Sequence, residues 1–156
     1  MPDLAVGLGF DVHAFAAERP LWLGGVLFEG APGLAGHSDG DVVCHAIADA
    51  LLGAVALGDV GEHFPETDAA TAGIAGEELL GRTTRLLAER GRSPASLDVT
   101  VVCERPAIAP RRAELRDRLA TIVGVSVDRV SVKATRPEGL GLMGDGVGCL
   151  AVAVVE

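Results

Sequence analysis

Residues 4–10 (LAVGLGF) alternate apolar and small side chains, the period-two pattern of a strand. Residues 20–28 (PLWLGGVLF) read as a strand or a hairpin, with Gly24-Gly25 as turn or bulge. Residues 30–36 form a connection punctuated by Gly and Pro. From near Ser38 to about Leu57 the period changes to that of a helix. Val42, Ala46, Ala50 and Ala54 give it a stripe of small residues, flanked by Val43, Ile47 and Leu51. Ser38-Asp39-Gly40-Asp41 fits a capping box, with Ser38 at the N-cap and an acid three residues on. Residues 58–75 carry neither period and predict a long loop, often a functional lid. A helix is expected at about 76–90 and a strand at 97–103 (LDVTVVC). Pro106 and Pro110 bracket a short loop before an amphipathic helix at 111–123. Strands are expected at 128–134 and 147–155, with Gly-rich residues 139–146 between them. This order predicts a single domain over residues 1–156 of the α/β class: an α+β sandwich, with a mixed β-sheet and helices packed on one face.

Composition narrows the class. Of 156 residues, 49% are hydrophobic and 22% charged, which excludes wholesale disorder. No apolar run reaches the roughly 18 residues of a membrane span, and the N-terminus lacks a basic segment before its apolar stretch. A cytoplasmic location is therefore expected. Cys44, Cys103 and Cys149 are odd in number and far apart, so they read as buried small hydrophobes rather than a disulfide framework or a cysteine zinc site. The formal net charge is −9, which argues against binding nucleic acid or anionic membrane through a general basic field. Aromatics make up only 3%, with no Tyr, so base-stacking platforms are nearly absent. Any polyanionic substrate must then meet metals, helix N-termini or a few cations. Lys133 is the only lysine.

Four groups of residues can carry chemistry. Asp11 and His13 are two apart, so on an extended segment they face one side; the same pattern also describes a strand-end turn with a surface histidine. Asp41, His45 and Asp49 are four apart and share a helix face. A polar stripe on a mostly apolar helix needs partners, and Asp49 is placed to orient His45 through its other ring nitrogen. Asp11, His13 and His45 together offer one oxygen and two nitrogens, a donor set found in catalytic zinc sites with an open fourth position; His37 and His63 are rivals. In the loop Gly58–Asp68, glycines permit close backbone approach and Asp59 can accept hydrogen bonds from sugar hydroxyls, although an acidic surface turn would look alike. Finally, residues 131–141 (SVKATRPEGLG) bring Lys133, Thr135, Arg136 and Glu138 to one strand end. Arg, Lys and Thr suit phosphate and Glu suits a hard divalent cation.

Taken together, GLGFDVHAF (7–15), AGHSDGDVVCHAIADALLGAVALGDVGEHFPETD (35–68) and VKATRPEGLGL (132–142) resemble the 2-C-methyl-D-erythritol 2,4-cyclodiphosphate synthase family of non-mevalonate isoprenoid biosynthesis. The likeness spans essentially the whole chain. It implies a homotrimer with active sites between subunits, Zn²⁺ on Asp11, His13 and His45, and a second cation, Mg²⁺ or Mn²⁺, between substrate phosphates near Glu138. It implies that His37 and Ser38 meet the methylerythritol phosphate end, and that Asp59 and Gly61 meet ribose and erythritol. The cytidine pocket would comprise segment 103–109, with Cys103, Pro106, Ala107, Ile108 and Ala109, together with Ala134 and Thr135. Lys133, Thr135 and Glu138 are the implied catalytic groups, with Arg136 beside them on phosphate. The implied substrate is 4-diphosphocytidyl-2-C-methyl-D-erythritol 2-phosphate, whose 2-phosphate attacks its own β-phosphorus and releases CMP. The Ser38-started helix would add N–H donors near the polyanion.

The chain departs from the family pattern at several positions. Arg136 and Pro137 follow Thr135 where further threonines are usual, and Ala107 stands where lysine is common. Asp145 and Val147 replace an Arg and a Glu that sit near the trimer axis in the family, so an isoprenoid diphosphate is expected to bind poorly there. Two alternatives follow from the residues. One is a catalytically impaired trimer that still binds metal and nucleotide. The other is a zinc hydrolase using Glu62 or Glu66 as base, which no H-E-x-x-H motif supports.

Overall fold

The computed structural model describes residues 3–156. Strand β1 (Ala5–Ala16) pairs antiparallel with the edge strand β4 (Gly33–Leu34) on one side and with β7 (Gly146–Val155) on the other. Beyond β7 lie β5 (Pro94–Val102), antiparallel to it, and β6 (Val130–Thr135), parallel to β5. The sheet order is therefore β4-β1-β7-β5-β6, and β2 (Leu21–Leu23) with β3 (Val26–Phe28) forms a separate hairpin. Helices α1 (Val42–Ala54), α3 (Gly76–Glu89) and α4 (Arg112–Val123) make up the helical layer, and α2 (Val60–His63) is a single turn inside the 58–75 segment. The mixed sheet and the helical layer agree with the sequence pattern.

Three boundaries differ from expectation, each for a local reason. β1 does not stop at residue 10. It runs to Ala16 because β7 pairs with it through Ala14, so Asp11 and His13 lie within a strand. The first helix starts at Val42, and its N-cap is Asp41, not Ser38. Gly40 adopts φ +77°, which turns the chain before the helix can begin, and the Ser38 hydroxyl accepts the Gly40 N–H at 3.0 Å. Asp41 is fully buried and accepts from Val43 and Cys44 as well as from Gly24 and Gly25 of the β2–β3 turn. One carboxylate thus closes the helix end and docks the hairpin on it. The Val43 and Cys44 N–H groups of the helix N-terminus are consequently spent on Asp41 inside the protein. The 58–75 segment, expected as plain loop, holds α2 and a 3₁₀ turn at Ala69–Thr71, both started by Asp carboxylates that accept backbone N–H groups.

The contact of α1 on β1 fixes the rest. The small-residue stripe of α1 faces Gly7 and Gly9, and the two backbones touch almost directly. A Cβ on Gly7 would lie 1.9 Å from the Ala50 carbonyl oxygen, and one on Gly9 would lie 1.8 Å from that of Ala46. Neither neighbour is a movable side chain. Gly9→Ala is therefore expected to lower stability by about 3 kcal/mol, at the upper end of overpacking effects. Urea unfolding checks this; a midpoint equal to that of the unaltered chain would contradict the close approach.

The sheet face away from the helices is apolar and open. Val6 and Leu8 are each 67% exposed, and Phe10, Val12, Leu150 and Val152 share that exposure to lesser degrees. Patches of this kind mark association surfaces. No helix among the described residues is long and apolar enough to cross a membrane.

Candidate active site

β1 presents Asp11 and His13 on its helix-facing side, and α1 places His45 one turn beyond its cap, opposite them. The Asp11 Oδ2 atom accepts from His13 Nε2 at 2.8 Å and from His45 Nδ1 at 3.0 Å. The other ring nitrogen, His45 Nε2, hydrogen-bonds the Ser38 hydroxyl across 3.0 Å. Burial pushes the Asp11 carboxyl upward, but the hydrogen bonds and charges of His13 and His45 outweigh it and hold Asp11 well below the usual carboxylate range. The same bond raises His13 against the opposing effect of burial.

Asp11, His13 and His45 are the one group of three or more metal-ligating side chains found together among the described residues, with donor atoms within 4.8 Å of one another. Tetrahedral zinc with bonds of roughly 2.0–2.1 Å sets its donors about 3.4 Å apart. The observed 2.8 and 3.0 Å contacts need to open by only a few tenths of an ångström to admit the ion. The three side chains remain 12–25% exposed toward the cleft, so a fourth position is reachable. The residues fit a metal of this kind. His63 is not part of the group: its Nε2 donates to the Leu57 carbonyl at 2.7 Å. Asp49 does not orient His45 either. Both His45 ring nitrogens are taken by Asp11 and Ser38, and Asp49 accepts the Val60 N–H at 2.8 Å, tying α2 to α1.

The triad opens into a cleft of about 230 Å³ whose walls include His37, Ser38 and Gly61. Sequence reasoning missed Phe64, Ile74 and Leu79, which line the same cleft. Their apolar character in an irregular segment was the available signal. Asp59 caps α2 by accepting the Glu62 N–H at 3.0 Å. A second cleft of about 170 Å³ gathers Cys103, Pro106, Ala107, Ile108, Ala109, Ala134, Thr135 and Arg136, all singled out from sequence, and adds Arg112. The two clefts share no lining residue. Lys133 lines neither. Its ammonium pairs with Asp98 at 2.7 Å. Glu138 is exposed, with φ +54°. Of the departures from the family pattern, Asp145 pairs with Arg105 at 3.1 Å and Val147 is fully buried.

The three cysteines are buried, as their spacing suggested. Burial raises the thiols of Cys44 and Cys149 well above the ordinary value and pushes that of Cys103 up to about 11. Thiolate is the reactive form. A disulfide reagent at pH 8 is expected to titrate none of the three in native protein and all three after denaturation; fast native labelling would contradict their placement.

A mixed sheet backed by helices, with Asp11, His13 and His45 grouped so that they could hold a metal in the wall of a cleft, defines a small α+β protein. Its sequence then fixes the family. The chain belongs to the YgbB family, whose model matches residues 4–156. The 2-C-methyl-D-erythritol 2,4-cyclodiphosphate synthase of Thermosynechococcus vestitus is 47% identical, over 100% of this chain and 98% of that protein. The protein of the same name from Symbiobacterium thermophilum is 49% identical, over 97% and 98%. A solved structure of such a synthase in a CDP-bound form superposes with a TM-score of 0.90 at 35% identity, covering 97% of this chain and 99% of that one.

Proposed function

We propose that this chain is a 2-C-methyl-D-erythritol 2,4-cyclodiphosphate synthase. The observation that carries the reading is the convergence of Asp11, His13 and His45 on one point at a cleft mouth, in a chain matching such enzymes over its full length. In the proposed reaction an oxygen of the substrate's 2-phosphate attacks its β-phosphorus, the bond from that phosphorus to the bridging oxygen breaks, and CMP departs with it. The nucleophile is already an anion, so no general base is needed. Catalysis reduces to bending the substrate and offsetting charge. Zn²⁺ on the triad, and Mg²⁺ or Mn²⁺ near Glu138, would supply that positive charge in an acidic protein. His37 and Ser38 hold the phosphorylated erythritol end, with Asp59 and Gly61 toward the sugar hydroxyls. Segment 103–109 and Ala134 seat the cytidine, while Thr135 and Arg136 offer a hydroxyl and a guanidinium to phosphate. Lys133 belongs to the same strand end and would reach phosphate only by leaving Asp98.

The assembly proposed is a homotrimer. The open apolar sheet face supports it, since a surface with Val6 and Leu8 at 67% exposure is suited to cover by further copies. The two clefts, having no wall in common, suit an active site completed by a neighbouring subunit. The setting proposed is the cytoplasm. Incubation with the phosphorylated cytidyl substrate and Mg²⁺, followed by ³¹P NMR, is expected to yield CMP and the cyclic diphosphate in equal amounts. Release of inorganic phosphate instead would favour a hydrolase and overturn the reading.

A further inference from the structure

The segment 136–145 joins β6 to β7 and carries Glu138. It is irregular, yet it is held at several points. Glu104 Oε1 accepts the Gly139 N–H at 2.8 Å. Arg105 donates to Asp145 Oδ1 at 3.1 Å, and its guanidinium carbon stands 4.6 Å from the Phe15 ring centroid. The Asp145 carbonyl accepts the Phe15 N–H at 2.9 Å. Met143 covers Gly148 so closely that a Cβ there would sit 2.3 Å from its sulfur. Within the segment Glu138 and Met143 adopt φ +54° and +67°, left-handed backbone that a side chain disfavours. The Gly139 N–H lies in the peptide plane that follows Glu138. Fixing that plane fixes ψ of Glu138, and so helps set how its carboxylate leaves the chain.

Glu104 and Arg105 sit between Cys103 and Pro106, both of which line the second cleft. The main chain there is joined to the base of the segment, for the Cys103 N–H donates to the Thr135 carbonyl at 3.2 Å. Residues 103–105 and the 135–145 stretch are thus held to each other at three points. We propose that Glu104 and Arg105 are positioning residues that couple occupancy of the second cleft to the placement of Glu138, so that seating the nucleotide sets the carboxylate beside the substrate phosphates. This rests on reading that cleft as the nucleotide pocket. It accounts for a carboxylate at position 104 that points at a backbone N–H, where charge strengthens the bond.

Hydrogen exchange of peptides spanning 136–145, with and without CDP, tests the coupling on the full chain, with calorimetry to verify CDP binding. In the unaltered chain CDP is expected to slow exchange of this segment about tenfold, the effect of one added hydrogen bond's worth of protection. Glu104→Gln keeps an acceptor and is expected to retain the protection. Glu104→Ala is expected to bind CDP while its 136–145 segment exchanges at the unliganded rate. Equal protection in Glu104→Ala and the unaltered chain overturns the proposal. So does loss of CDP binding in Glu104→Ala with no change in the free-state exchange, which would make Glu104 a nucleotide contact. An unaltered chain that binds no CDP overturns the nucleotide reading itself, and the coupling with it.

Discussion

His45→Ala is expected to remove zinc and turnover together. His45 is one of three donors, and it is the only one contributed by α1; Asp11 and His13 both come from β1. Its loss leaves two ligands, too few to hold the ion at ordinary free concentrations. It also frees Asp11 from one of the two hydrogen bonds that position its carboxylate. Turnover should fall on the order of 10³-fold or more, because the charge that offsets the phosphates leaves with the metal. Elemental analysis of the purified variant and the ³¹P assay give the two readouts. Ser38→Ala is the matched control. It removes the hydroxyl that hydrogen-bonds His45 Nε2, an N–H donor once Nδ1 holds the metal, but keeps all three ligands, so a decline of about 10–100-fold is expected, as for partners of metal ligands generally. A His45→Ala protein with full zinc occupancy and undiminished turnover would remove the proposed ligand set.

The largest stability effect should come from Asp41→Ala. The carboxylate is 0% exposed and accepts four backbone N–H groups, from Gly24 and Gly25 at 2.8 Å each, Cys44 at 3.0 Å and Val43 at 3.2 Å. Alanine leaves these donors without a partner in a site that water does not readily reach. A loss of about 3–5 kcal/mol is expected, the range for breaking a buried charged network. At roughly 2–4 °C per kcal/mol for a chain of this size, the midpoint of thermal unfolding should drop by about 6–20 °C. Ser38→Ala supplies the contrast again. Were Ser38 the helix cap, it would carry this loss; with Asp41 in that role, Ser38→Ala should lower stability by about 1 kcal/mol or less. Both variants must be compared at one protein concentration, since association shifts apparent stability.

These two residues also show what could be read from the chain before folding. Ser38-x-x-Asp41 satisfies the local rule for a capping box, and the rule picked the wrong end of the motif. What decides between the two residues is the Gly24-Gly25 turn, sixteen or more positions earlier, which has no local signature of where it docks. Asp49 fails for a similar reason. Its spacing puts it on the His45 face, but Val60 brings a backbone donor to it across a turn whose course no period encodes. The donors Asp11 and His13 were legible because a strand's alternation is local. Choosing His45 over His37 and His63 needed the fold: His63 is bound to the Leu57 carbonyl, and His37 stays on the cleft wall outside the three-residue group. Apart from β1, which runs to Ala16 and not to residue 10, the long regular elements were found within a few residues, whereas β4, with two residues, and α2, with four, are too short to leave a periodic trace.

The backbone-to-backbone seam between β1 and α1 has a consequence for redesign. Elsewhere in a protein interior, trading one aliphatic group for another shifts neighbouring elements by fractions of an ångström and offers a gentle way to retune a centre. Between Gly7 or Gly9 and the carbonyls of Ala50 or Ala46 there is nothing to trade. The spacing of the three donors is thus insulated from drift in the surrounding aliphatic packing. Altered preference among metals would have to be sought by changing the donor atoms themselves.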